Sequence, residues 1–217
     1  MTSYAELERE IDRGTRPDRL RRWVLDVLDD IAEGRRPLAA VRHPLGFTCL
    51  PVERAGLDGV CVHAWPADPP PVAPTTSTMH SHSWDLLSHV LHGEVRNELV
   101  EVTDAPADPS WRVYEVRSRG DVDEMAATDR LVTAVTATVE THAAGRSYAL
   151  RAGGFHTSEV RRGEPAVTVA LGRTTPGACD LSLGAVDGRS HRVRRERCGA
   201  GETARLARAI ARLVARG

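Results

Sequence analysis

The chain has 217 residues, 41% of them apolar, which is enough for one domain with a real core. Its 29 basic residues, all arginine, stand against 30 acidic ones, so bulk charge gives no reason to expect nucleic acid or an anionic membrane as partner. No apolar run approaches the roughly 18 residues of a membrane span, and no signal peptide is evident. The four cysteines form no Cys-x-x-Cys pair and read as reduced thiols of a cytoplasmic protein.

Residues 4–33 carry apolar side chains at helical spacing, first Tyr4, Leu7 and Ile11, then Leu20, Trp23, Val24, Val27, Leu28 and Ile31. Gly14 and Pro17 divide two helices and Gly34 ends the second, giving an N-terminal helical extension over residues 1–40. From Leu45 the pattern changes to short strands broken by Gly and Pro: 45–53, 59–65, 77–82, 86–92, 95–103, 111–117, 135–142, 146–151, 155–161, 166–173 and 180–186. That density predicts a mostly β unit over 41–190, an antiparallel sandwich or barrel. Pro66–Pro74 holds five of the thirteen prolines and reads as an extended loop across the barrel mouth. Residues 121–134 read as a short helix or lid. Residues 191–217 close the chain with a strand and a helix from Glu202, with Leu206, Ile210, Leu213 and Val214 on one stripe.

The chemistry centres on His80-Ser81-His82. Alternate strand residues face the same side, so both imidazoles aim at one point. His156, after Gly153-Gly154-Phe155, is a third nitrogen donor from a distant strand; together they make a facial set for a divalent transition metal.

These residues resemble the two motifs of the cupin family, whose fold is a double-stranded β-helix, or jelly-roll barrel. The first motif, Gly-x5-His-x-His-x3/4-Glu-x6-Gly, falls on Pro74, His80, His82, Leu86 and Gly93. The second, Gly-x5-Pro-x-Gly-x2-His-x3-Asn, falls on Gly145, Arg151, Gly153, His156 and Val160. Pro74, Leu86, Arg151 and Val160 depart from the pattern, and Leu86 occupies the place of the family's glutamate ligand. Either a bulge swings Asp85 inward as the oxygen ligand, or the set is His80, His82 and His156 alone. Strand alternation puts Asp85 on the face opposite His82 and favours three histidines.

The stretch Gly154-Phe155-His156 with Glu164-Pro165-Ala166-Val167-Thr168 is similar to cysteine dioxygenases. The Ser-x-His-x-Tyr that follows in those enzymes reads Thr168-Val169-Ala170-Leu171-Gly172 here, which argues against cysteine as substrate and leaves the wider thiol dioxygenase-like group. The resemblance implies an Fe(II)-dependent dioxygenase, an oxidoreductase acting on a small polar metabolite, with Zn(II) or Ni(II) as other metals and a homodimer as the assembly. Two alternatives stand beside it: a zinc cupin catalysing a non-oxidative rearrangement, isomerisation or elimination, and a non-catalytic small-molecule-binding cupin. Arg96 is the expected anchor for a substrate carboxylate and Tyr148 a pocket hydrogen-bonding group. Trp65 and Trp84 read as packing, His89 as exposed or supporting, His63 as an alternating strand residue, and Cys49 and Cys61 as buried thiols.

Overall fold

The computed structural model describes residues 3–12, 18–68 and 74–216. The helix break at Gly14 and Pro17 and residues 69–73 of the proline-rich loop lie outside the described residues. The periodic N-terminal segments fold as α1 (Tyr4–Asp12) and α2 (Asp18–Ala32), and the arginine-striped terminus as α3 (Ala200–Arg216). Ser3 and Glu6 cap α1 reciprocally: the Ser3 N–H donates to Glu6 Oε2 at 2.8 Å, and the Glu6 N–H to Ser3 Oγ at 3.4 Å. Gly34 follows α2 in the left-handed region, φ +74°, as a helix stop requires.

Between the helices run β1 (Val41–Arg42), β2 (Thr48–Ala55), β3 (Asp58–Trp65), β4 (His80–Ser81), β5 (Trp84–His92), β6 (Glu94–Asp104) and β7 (Trp111–Arg119). They continue with β8 (Val122–Ala143), β9 (Ser147–Leu150), β10 (Phe155–Glu159), β11 (Ala166–Thr174), β12 (Asp180–Gly184), β13 (His191–Arg194) and β14 (Glu196–Arg197). One antiparallel sheet is ordered β14-β1-β2-β3-β11-β5-β9 and the other β13-β8-β6-β10-β4-β12-β7. In the second sheet β7 also pairs with β8, so the row closes on itself. The expected mostly β, jelly-roll barrel-like architecture with helices at both ends is what the chain adopts.

Alternation along the strands sorts side chains into three cores. Leu50, Val60, Val62, Val167, Val169 and Leu171 face outward from the first sheet and pack with Leu20, Val24, Leu28, Ile210 and Val214 of the helices. The opposite face, with Trp65, Leu86, Val90, Tyr148, Leu150, Ala166 and Ala170, meets Val95 and Leu99 of the second sheet. Val113, Val132, Phe155 and Leu183 form a third cluster within the curl of that sheet.

Residues 121–134 are not a helix or lid. They are the first half of β8, a 22-residue strand that pairs with β7 along this half and with β6 along the other. The Met-Ala-Ala run favours a helix locally, but Asp123 and Met125 alternate into the interior, Val132 is buried beyond a register shift, and the partner strands outweigh that propensity. β1 was outside the sequence expectation because two residues carry too little periodicity, whereas β13 and β14 fall in the 191–217 segment, where one strand before the terminal helix was expected.

Candidate metal centre

β4 and β10 are antiparallel neighbours with His80 directly opposite His156, and His82 follows two residues on. Local sequence explains the approach. Gly153, φ +77°, turns the chain ahead of β10, and its N–H donates to the His82 carbonyl at 2.8 Å. One ligating nitrogen from each of the three rings lies within 4.8 Å of the others. The ring centroids are 4.4 Å apart for His80 and His156, 4.8 Å for His80 and His82, and 5.1 Å for His82 and His156.

Two of the rings are locked by the backbone. His80 Nδ1 faces the Thr78 carbonyl at 2.8 Å and His156 Nδ1 the Gly154 carbonyl at 3.1 Å. A carbonyl only accepts, so each Nδ1 carries the proton and each Nε2 is left with a free lone pair. His82 is held by stacking on Trp84, with centroids 4.2 Å apart and planes 22° from parallel. Trp84 fits there because residue 172 is glycine; a Cβ would meet Trp84 Cε3 at 2.8 Å. Burial, with the neighbouring His80, pushes His156 down to about 3, and burial likewise lowers His80 and His82. All three are therefore neutral donors at neutral pH, the form a metal requires.

The structure brings Asp85 elsewhere. It is exposed, opposite Arg173 in the β5–β11 register, and accepts the Ala152 N–H at 2.9 Å. No bulge turns it inward. It braces the turn that delivers His156, and Leu86 packs in the inter-sheet core. Among the described residues no carboxylate joins the three-histidine group.

Arg96 is likewise not at the centre. It lies opposite Glu159 in the β6–β10 register, half-exposed, and pairs with Glu98 and, at 3.7 Å, with Glu159. Asn97 takes the inward direction on that strand, and alternation turns Arg96 out. Tyr148 does face the barrel interior, where it stacks on His142 at 4.7 Å, and burial pushes its phenol up although Ser88 and Asn97 beside it pull the other way. His89, expected to be exposed or supporting, is buried and hydrogen-bonded through Nδ1 to Ser147 Oγ at 2.8 Å.

A cavity of about 130 Å³ borders His80 and His82. Its wall includes His43, Thr76, Asp123, Asp180 and Arg195, to none of which the sequence pointed. Arg195 is held by Asp123, Nε to Oδ2 at 2.8 Å and Nη2 to Oδ1 at 2.6 Å, and by Ser118. Burial opposes the Asp123 charge, but Arg195 and Ser118 outweigh it and hold the carboxyl below its ordinary range. His43 accepts the Leu45 N–H at Nδ1, 3.3 Å, so its neutral ring carries a proton on Nε2. Arg195 was hidden in an arginine-rich run, and Asp123 in the segment read as a helix.

No protein-family model matches the chain, and no curated protein is significantly similar to it. Among solved structures it is similar to hydroquinone 1,2-dioxygenase PnpCD, in complex with Cd2+ and 4-hydroxybenzonitrile, at TM-score 0.33 and 16% identity over 58% of this chain. It is also similar to hydroquinone 1,2-dioxygenase from Sphingomonas sp. TTNP3, with 4-hydroxybenzoate bound, at TM-score 0.36 and 13% identity over 60%. This chain spans 63% of the first and 72% of the second. Likenesses of this size assign no activity.

Proposed function

We propose that His80, His82 and His156 hold one divalent transition metal, Fe(II) before Zn(II) or Ni(II), in a cupin oxygenase acting on a small polar metabolite. The observation that carries this reading is the pair of Nδ1–H groups spent on the Thr78 and Gly154 carbonyls, which leaves lone pairs converging from His80 and His156 on the space beside His82. Orientation of a ligating histidine through its second nitrogen is the usual mark of a metal ligand. Bound there, Fe(II) would supply redox capacity towards O₂ and open positions for a substrate.

The rest falls to the chain's own side chains. Arg195, neutralised by Asp123, gives the cavity wall fixed dipoles rather than a free cation, which suits a polar substrate of low charge. Thr76 Oγ1 and Ser182 Oγ are hydrogen-bonded at 2.8 Å and offer a hydroxyl surface on the same wall. His43, held neutral because burial lowers it to about 3, presents its Nε2–H as a hydrogen-bond donor rather than as an acid.

The test is metal content and oxygen uptake in anaerobically purified wild type and His82→Ala. Iron lost from the variant, together with oxygen uptake on a polar substrate, is the expected result. Activity retained in His82→Ala overturns the assignment. Tight zinc and turnover without O₂ would replace oxygenation by the non-oxidative reaction.

A further inference from the structure

The inner face of the first sheet carries a second set of metal-ligating side chains. In the β2–β3 register Cys49 stands directly opposite His63, and Cys61 lies two residues before His63 on the same face. The two sulfurs and one ring nitrogen all lie within 4.8 Å of one another. Across the sheet His63 pairs with Thr168 and Cys61 with Ala170, which face the inter-sheet space, so the donors point into the barrel.

Apolar packing does not account for these thiols. Cys198 is buried within the helix-side core, whereas Cys49 and Cys61 are half-buried and belong to no hydrophobic cluster. The imidazole of His63 is fixed by Phe47, with centroids 4.7 Å apart, and by the edge of Trp65 at 6.1 Å. The set shares no residue with His80, His82 and His156.

We propose that Cys49, Cys61 and His63 form a thiophilic cation site for Zn(II), separate from the imidazole centre. Two thiolates and an imidazole are soft and borderline donors, which select zinc over magnesium, calcium or manganese. Zinc–sulfur bonds of about 2.3 Å and zinc–nitrogen bonds of about 2.0 Å set tetrahedral donors roughly 3.5 Å apart, which small side-chain rotations reach here. Binding would release the thiol protons to solvent, and the partial exposure of all three residues leaves the fourth position to water.

The site can be read through sulfur alone. The full chain, reduced and stripped of metal, is titrated with Co(II) under anaerobic conditions and then with Zn(II). A near-ultraviolet sulfur-to-cobalt charge-transfer band should appear in wild type, in the His80→Ala/His82→Ala variant and in Cys179→Ser, and Zn(II) should abolish it. The band should be lost in Cys49→Ser/Cys61→Ser and fall to about half in Cys61→Ser alone, a single change that serves if the double variant does not fold. No band in folded, reduced wild type overturns the proposal, as does a band indifferent to Cys61→Ser or dependent on Cys179. Loss of the band in the His80→Ala/His82→Ala variant overturns the separateness of the two sites. Because the imidazole centre contributes no sulfur, its failure to bind metal would leave this result untouched.

Discussion

Each imidazole of the centre owes its direction to a different partner: a carbonyl two residues earlier for His80 and for His156, an indole face for His82. That division sets what single substitutions do. Asp85→Ala removes the acceptor of the Ala152 N–H without touching a ligating nitrogen. It is expected to weaken metal affinity by roughly tenfold while metal still binds at saturation, in contrast to His82→Ala. Isothermal titration of the metal-free protein separates the two cases. Gly172→Ala drives a methyl into Trp84, and an overpacking cost of about 1–3 kcal/mol in chemical denaturation is expected. The displaced indole should also change Trp84 fluorescence on metal binding. At this scale the sequence was informative for residue types in a spaced motif and silent on Arg195 and Asp123, because one arginine among 29 has no local mark of burial.

Pairing decides the elements. The hairpin between β5 and β6 turns at Gly93, φ +73°, where a Cβ would lie 2.3 Å from the Pro165 carbonyl oxygen. Gly93→Ala is expected to destabilise the fold by at least about 2 kcal/mol, because the clash is with backbone and the dihedral disfavours an L side chain. A lower thermal midpoint with an unchanged circular dichroism spectrum checks this. The opposite error marks β8. Residues 121–134 look helical in isolation, yet pairing with β7 over Val122–Val132, with β13 over Val122–Met125 and with β6 from Val132 onward supplies the hydrogen bonds that make them strand. Local propensity is a fraction of a kcal/mol per residue, and a full row of ladder partners and an alternating buried face exceed it. Side-chain direction followed the same logic, since Arg96 and Asp85 are near the motif in sequence but on the outward parity of their strands.

Across the whole molecule, buried neutral histidines tie stability to pH. Burial lowers His89 to about 4 and His43 to about 3, whereas in the unfolded chain both titrate near 6.5. Above about pH 6.5 both states are neutral and these residues add no pH dependence. As pH falls from there towards 4 the unfolded chain takes up protons that the folded one refuses, so stability of the metal-free protein declines. Denaturation midpoints over that range should fall steadily, and His89→Gln should flatten part of the slope; an unchanged slope would show that His89 is protonated in the folded state.

The sequence by itself determined a mostly β chain with helices at both ends, the spacing of His80, His82 and His156, and the glycine turns that serve them. These are periodicities and short-range constraints, legible because each is enforced within a few residues. Only the tertiary structure decided that Asp85 accepts the Ala152 N–H outside the three-histidine group and that Arg195 with Asp123 walls the cavity. It alone also made a strand of residues 121–134 and set Cys49, Cys61 and His63 side by side. Each of these depends on which strand lies next to which and in what register, and a shift of one residue would turn every one of those side chains to the other face.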